Sequence, residues 1–115
     1  QPDICHCGGV SEIRKIANMA ETYYVPVAPH NSNGPISTLA SLHLDMSIPN
    51  AFMQEIFVSF VDRYQEVLTN PIDISNGHAT VPSGPGWGAD IDLDVLAKYP
   101  PTDFTQVDSE PYLAF

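Results

Sequence analysis

The chain has 115 residues, of which 43% are apolar and 16% are charged, the balance of an ordinary globular domain. Its 14 acidic and 4 basic side chains give a formal net charge of −10, which repels phosphate backbones and anionic lipids. Length, charge and hydropathy therefore favour a single domain and argue against nucleic-acid binding, membrane-surface binding and a membrane-spanning segment.

Two cysteines, Cys5 and Cys7, flank His6 near the start of the chain. A separation of one residue is poor for a disulfide, because cross-linked Cα atoms need to be about 4.4–6.8 Å apart with suitably directed Cβ atoms. It is also shorter than the roughly two to four intervening residues of most structural zinc sites. We predict two small buried thiols in a reducing, cytoplasmic setting.

The first predicted helix covers Val10–Tyr23, where apolar residues recur at helical spacing. Gly8 and Gly9 mark the point at which this helix is predicted to begin, and Ser11 is the predicted N-terminal cap. The predicted buried face consists of Val10, Ile13, Ile16, Ala17 and Ala20. The next run, Val25–Ala28, is short and rich in β-branched residues, which favours a buried strand.

A polar loop over residues 30–34 leads to Pro35, a favoured first position of a helix. A second helix is predicted over Ile36–Met46, and its apolar side consists of Ile36, Leu39, Ala40 and Leu44. The apolar run of residues 51–53 predicts another short strand. Strands that alternate with helices indicate a parallel sheet covered by helices.

The alternation ends after residue 55, and turn signals follow. Asn76-Gly77, placed between Ile72–Ile74 and Ala79–Val81, predicts a β-hairpin. The stretch Pro82–Gly88 predicts a long rigid turn. Residues 90–94 alternate acidic and apolar side chains, which predicts a solvated acidic strand.

Three polar residues follow the strand-like segments: Asp3, His30 and Glu55. They lie about 25 to 27 residues apart, close to the roughly 30 residues that each unit of an eight-stranded β/α barrel takes. Polar residues at the C-terminal ends of barrel strands converge on the face that holds the active site. A carboxylate beside His30 would fix the tautomer of the imidazole and make it a better base. Solvated or helix-capping side chains are the alternative.

A family resemblance is carried by QPDICHCGGVSEIRKIA at residues 1–17, APHN at 28–31 and NAFMQE at 50–55, with GPGWG at 84–88. With these motifs the chain resembles the mandelate racemase subgroup of the enolase superfamily. It is most similar to the sugar-acid dehydratases, such as galactonate and gluconate dehydratase. Residues 56–76 and 100–115 carry none of the resemblance.

The resemblance implies an Asp3–His30 dyad in which His30 is the general acid/base. It implies that Glu55 binds the substrate carboxylate or its enolate form, and it makes His6 a candidate substrate contact, with packing beneath the loop as the alternative. The implied reaction removes the proton α to the carboxylate of an aldonate and then loses the β-hydroxyl as water, giving a 2-keto-3-deoxy acid. A racemase or epimerase of the same superfamily and a non-catalytic fragment or interaction module are the alternatives.

The implied fold is α/β, the C-terminal part of a (β/α) TIM-like barrel, about strands 6–8, with a C-terminal return segment. Residues 1–68 would form barrel units 6–8, and residues 69–115 would return toward a capping domain that this chain lacks, with Trp87 as a packing anchor. The implied cofactor is Mg²⁺; in the family its ligands come from earlier strands, so the resemblance assigns no metal ligand to this chain. The expected partners are a sugar-acid substrate, the missing N-terminal part of the same enzyme and further copies in a homo-oligomer. Because the chain starts at Gln1, we expect a processed or partial polypeptide.

Overall fold

The computed structural model describes residues 1–101 and contains four α-helices and one β-hairpin within that range. The elements are α1 (Val10–Thr22), α2 (Pro35–Asp45), a 3-10 turn (Val58–Phe60), α3 (Val61–Val67), β1 (Ile74–Ser75), β2 (His78–Ala79) and α4 (Leu93–Leu96). No helix in this range is both long enough and apolar enough to cross a membrane. The predicted return segment extends into residues 102–115, which lie outside the described residues.

The helix α1 begins at the predicted residue, but its start is organised differently from the prediction. Gly9 is the N-cap, with φ 91°, a value that glycine adopts without the penalty other residues pay. The prediction of a Ser11 cap is wrong, because Ser11 lies inside the helix and no side chain caps it. The buried face is also narrower than predicted, since Val10 and Ile16 are each 39% exposed.

Seven of the eleven residues of α2 are buried, and the helix lies between two apolar clusters. It begins at Pro35 as predicted, because proline lacks only an N–H that the first turn leaves unpaired. One cluster contains Ile4, Ile13, Ala17, Val27, Ala40, Leu44 and Ile48. The other contains Leu39, Leu42, Leu68 and Ile72. Ile36, on the predicted apolar side, is 42% exposed.

The predicted strands pair in parallel, as isolated bridges. Asp3 bridges His30, and Val27 bridges Ala51, both in parallel orientation. The segment around residues 27–30 therefore lies between the other two, with α1 and α2 as the connecting helices. This confirms the predicted alternation of strand-like segments and helices in a parallel arrangement.

Proline explains why the central segment does not form a continuous ladder. Pro26 and Pro29 have no N–H to donate, so ladder hydrogen bonds on this segment come from its remaining residues. The N–H of Val27 donates to the backbone carbonyl oxygen of Asn50 at 2.8 Å. Val27 is 3% exposed but Val25 is 50% exposed, so the segment predicted as a buried strand over Val25–Ala28 is buried only in part.

The hairpin prediction is confirmed. β1 and β2 pair antiparallel, with Ile74 opposite Ala79. Asn76 and Gly77 have φ values of 51° and 75°, and two successive positive values are the signature of the tight turn that suits the twist of a hairpin.

The prediction of an acidic strand at residues 90–94 is wrong. Leu93–Leu96 is the helix α4, and the carboxylate of its N-cap Asp92 accepts hydrogen bonds from the N–H groups of Asp94 and Val95. An aspartate at this position accepts hydrogen bonds from N–H groups that the start of a helix otherwise leaves unpaired. This stabilises a helix even though the sequence alternates acidic and apolar residues as a strand would. The antiparallel bridge between Leu68 and Ile91 ties this region to the end of α3.

Candidate active site

The structure brings Asp3 and His30 together. Each residue ends a strand-like segment, and the parallel bridge between them places both side chains at the same end of the pair. The N–H of His30 donates to the carbonyl of Pro2 at 3.0 Å. Nδ1 of His30 lies 2.7 Å from Oδ2 of Asp3. These two side chains thus meet, as their spacing along the sequence predicts.

The Asp3 carboxylate is buried and accepts four hydrogen bonds. Oδ1 accepts from the backbone N–H groups of Cys5 at 2.7 Å and His6 at 3.2 Å. Oδ2 accepts from Nδ1 of His30 at 2.7 Å and from the side-chain amide of Asn33 at 2.8 Å. Burial raises the pKa of the Asp3 carboxyl, but these hydrogen bonds together outweigh it and hold that pKa below its ordinary value of 3.8.

The lowered pKa of Asp3 predicts a contribution to stability that depends on pH. A carboxyl whose folded-state pKa is depressed stabilises the fold above its ordinary pKa, and this stabilisation is lost as the pH falls through the folded-state value. We expect the melting temperatures of the wild type and Asp3→Asn to differ at pH 7 and to converge toward pH 3. Asp73→Asn, which alters an exposed carboxylate, should follow the wild type. An equal gap at both pH values would show that ionised Asp3 does not stabilise the fold.

The Asp3 contact determines which nitrogen of His30 is free. An ionised carboxylate only accepts hydrogen bonds, so Nδ1 of the neutral imidazole carries the proton. Nε2 then presents a lone pair, and the hydroxyl of Ser32 lies 3.5 Å from it, the outer limit of a hydrogen bond. The His30 side chain is 41% exposed. His30 can therefore take a proton at Nε2 while Asp3 stabilises the resulting imidazolium.

Glu55 is tied to the loop that carries His30 through the buried side chain of Asn31. The N–H of Asn31 donates to Oε2 of Glu55 at 3.0 Å, and its amide nitrogen donates to the Glu55 carbonyl at 3.1 Å. The same amide nitrogen donates to Thr38 at 2.9 Å, and its oxygen accepts from Ser37 at 3.1 Å. Because Asn31 is 0% exposed, this network holds Glu55, the loop and the start of α2 in one arrangement.

The Cys5-His6-Cys7 segment is more exposed than predicted. Cys5 is exposed and Cys7 half-buried, so the prediction of buried thiols is wrong; both thiols are free. Asp3 accepts hydrogen bonds from two successive N–H groups of this segment, which holds the backbone in a turn around the carboxylate, with Cys5 and His6 exposed and Cys7 packed against the core. Within residues 1–101 the His6 imidazole forms no hydrogen bond, and its predicted substrate contact stays a prediction.

Three residues that organise the site were not predicted from the sequence: Asn31, Asn33 and Tyr64. The hydroxyl of Tyr64, on α3, donates to the carbonyl of Asn33. Asparagine side chains in a polar loop commonly form hydrogen bonds with nearby backbone groups. The sequence therefore indicates that Asn31 and Asn33 order the loop, but it does not indicate which residues they bond to. Tyr64 lies in a segment without a motif.

The described residues do not form a magnesium site. Among residues 1–101 no three His, Cys, Asp or Glu side chains lie close enough together to hold a metal ion. Mg²⁺ requires a near-octahedral set of oxygen ligands. Both oxygens of Asp3 are already engaged, and Glu55 alone supplies too few ligands.

Residues 1–95 match the family described as enolase C-terminal domain-like. The chain belongs to this family. Its α/β fold is therefore the C-terminal part of the TIM barrel of the enolase superfamily, which confirms the predicted fold class.

The curated relatives include sugar-acid dehydratases. D-xylonate dehydratase of Haloferax volcanii is 37% identical over 109 residues, which cover 95% of this chain and 26% of that protein. D-galactonate dehydratase of Ralstonia nicotianae is 41% identical, with coverage of 80% and 26%. The chain thus spans about a quarter of the length of these relatives.

Solved structures of the same superfamily share the fold of this chain. A mandelate racemase subgroup enolase from Agrobacterium tumefaciens superposes with a TM-score of 0.75 at 45% identity, covering 84% of this chain and 26% of the other. An enolase from Pantoea ananatis, crystallised with bound D-gluconate and Mg, superposes with a TM-score of 0.77 at 35% identity, covering 84% and 24%. The predicted resemblance to this subgroup and to sugar-acid dehydratases is confirmed.

Proposed function

We propose that this chain is the C-terminal part of a Mg²⁺-dependent dehydratase that acts on aldonates. The observation that carries the proposal is the 2.7 Å contact between Nδ1 of His30 and Oδ2 of Asp3, because it leaves Nε2 as an exposed base. Support also comes from the relatives, which are named as dehydratases of sugar acids. The magnesium ligands would come from polypeptide outside this chain.

In the proposed reaction His30 acts at the carbon α to the substrate carboxylate. Nε2 takes the α-proton, and the electron pair of the broken C–H bond moves into the carboxylate to give an enediolate. Glu55, whose Oε2 accepts a hydrogen bond from the N–H of Asn31, binds the substrate carboxylate. The β-carbon then loses its hydroxyl as water, with a proton returned by the imidazolium, and the resulting enol becomes a 2-keto-3-deoxy acid. Asp3 keeps Nδ1 protonated throughout.

The exposed apolar surface supports a larger protein with further barrel units. Tyr24, Val25, Phe52 and Met53 flank the paired segments, and each is at least half exposed. Contiguous apolar surface of this kind marks an interface that another part of a fold covers. We propose that the preceding β/α units of the same enzyme cover it. A homo-oligomer and a cytoplasmic location stay predictions.

The proposal is tested by proton exchange in heavy water. The complete enzyme with Mg²⁺ is incubated with a panel of aldonates, and the α-proton is followed by NMR together with the products. We expect exchange and a 2-keto-3-deoxy acid with at least one aldonate. Exchange with an inverted stereocentre and no keto acid would indicate a racemase or epimerase. Neither exchange nor product with any aldonate would contradict the proposed function.

A further inference from the structure

We infer that Asn33 is a positioning residue of the Asp3–His30 dyad and that Tyr64 holds Asn33 in place. The catalytic meaning of this inference rests on the proposed function, whereas the contacts themselves do not. Asn33 and Tyr64 would act through Asp3 and His30 without contacting the substrate.

The Asn33 amide binds the carboxylate oxygen that faces the imidazole. Its nitrogen donates to Oδ2 of Asp3 at 2.8 Å, beside the 2.7 Å contact of the same oxygen with Nδ1 of His30. The orientation of the amide is determined, because an ionised carboxylate accepts only from the NH₂ end. Oδ1 is held by backbone N–H groups, so the Asn33 bond is the side-chain restraint that fixes the direction of Oδ2.

Tyr64 connects this restraint to α3. Its ring is 6% exposed, and its hydroxyl donates to the carbonyl of Asn33. Burial raises the pKa of Tyr64, so the hydroxyl keeps its proton and stays a donor over the pH range in which histidines titrate. The contact anchors the Asn33 backbone, which keeps the amide within reach of Asp3. A helix outside the strand-like segments thereby takes part in orienting the dyad.

The test compares Asn33→Leu and Tyr64→Phe with matched controls in the complete enzyme. Asn33→Leu removes the amide at similar volume, and Tyr64→Phe removes only the hydroxyl. Asn70→Leu is the asparagine control, since the Asn70 amide donates to the carbonyl of Gly88 outside the dyad. Tyr23→Phe is the tyrosine control, because Tyr23 is 74% exposed. ¹⁵N-labelled histidine reports the His30 tautomer, and ¹³C-labelled aspartate reports the titration of Asp3.

We expect Asn33→Leu to raise the pKa of Asp3 and to increase the fraction of His30 protonated at Nε2. Loss of one hydrogen bond to a charged group should lower kcat about tenfold with KM unchanged, since substrate contacts remain. Tyr64→Phe should shift both NMR signals in the same direction by less. Both controls should match the wild type.

A merely structural role would lower the melting temperature and leave the tautomer and the Asp3 titration unchanged, and that result would overturn the inference. If Asn33→Leu does not fold, Tyr64→Phe decides: an unchanged dyad in this variant overturns the inference. If the dyad changes as expected but the wild-type enzyme exchanges no α-proton, the positioning role stands and the proposed function fails.

Discussion

Replacement of His30 by asparagine should slow α-proton exchange by the complete enzyme about a thousandfold or more, because the variant lacks the base that receives the proton. Asparagine preserves a polar side chain of similar reach beside Asp3, so the loop and the parallel bridge should survive. Proton exchange in heavy water measures the step directly, independently of later loss of water. Binding of the aldonate should change much less than the rate, since the contact proposed for Glu55 is retained.

The matched control for this prediction is His78→Asn, because His78 is exposed on the hairpin and its Nδ1 lies 2.9 Å from the nearby carbonyl oxygen of Asn76, far from Asp3 in sequence. It should exchange at the wild-type rate. Asp3→Asn should give a smaller loss than His30→Asn, because the imidazole is still present but its tautomer is no longer fixed. Wild-type exchange in His30→Asn would rule out His30 as the base.

The positions of Asp3 and His30 could be predicted because their placement depends on a regular property of the chain. Strand-like segments at nearly equal intervals end at the same edge of a parallel sheet, so residues at those ends meet whatever the details of the loops. The helices α1 and α2 were predictable for a similar reason, since their apolar residues recur with the helical period and glycine or proline marks their starts.

The restraints around the dyad could not be predicted, because they depend on contacts between segments that share no local pattern. Asn33 reaches back across 30 residues to Asp3, and Tyr64 reaches across 31 residues to Asn33. Nothing in the sequence near Tyr64 marks it as a partner of that loop. The exposure of Cys5 was mispredicted for a related reason, because it depends on the turn around Asp3, and that turn is made by hydrogen bonds to a single carboxylate.

Burial was overpredicted at apolar side chains near the edges of this chain, which forms only part of the expected barrel. Val25 and Ile16 belong to apolar patterns that predict a core, yet both are well exposed. An apolar pattern shows that a side chain prefers burial, but the element that covers it can lie in another part of a fold. The polar site does not depend on a missing neighbour in this way, because Asp3 accepts hydrogen bonds from His30 and Asn33 within this chain.

A second large effect is expected at Asp45, whose buried carboxylate lacks a hydrogen-bond partner. Within residues 1–101 neither of its oxygens has a partner, and both are shielded from solvent. Asp45 is the last residue of α2, where the negative end of the helix dipole also disfavours a carboxylate. It borders a cavity of about 610 Å³ that is also lined by His78. Burial raises the pKa of Asp45 to about 6.

The direction of the pH effect follows from this raised pKa. Since the folded-state pKa of Asp45 lies above its ordinary value of 3.8, ionisation of this carboxyl opposes folding at and above pH 6. The unfavourable contribution should fade as the pH falls from about 6 through 3.8, below which the carboxyl becomes neutral in both the folded and the unfolded state. This window lies above the one in which Asp3 loses its stabilising charge, so the two effects are separable.

Asp45→Asn should therefore stabilise the protein at pH 7.5, because it replaces the ionised group by a neutral one of the same shape. After allowance for partial exposure to solvent, the expected gain is about 1 to 2 kcal/mol in the free energy of unfolding, or about 5 °C in melting temperature. At pH 4.5 the difference should shrink to less than half of its value at pH 7.5, because the carboxyl is then mostly neutral in the folded state. Thermal unfolding followed by circular dichroism at both pH values provides the measurement.

Asp73→Asn is the control, since the same change at an exposed carboxylate should leave the melting temperature unaltered at either pH. Destabilisation by Asp45→Asn at pH 7.5 would contradict the prediction, because it would mean that the ionised carboxylate has a favourable partner.

The chain has four basic side chains that could be such a partner: Arg14, Lys15, Arg63 and Lys98. Of these, Lys15 pairs with Glu12, Lys98 with Glu66, and Arg63 lies over the ring of Tyr99. Three of the four basic side chains therefore have a contact elsewhere, and none of these three contacts is with Asp45.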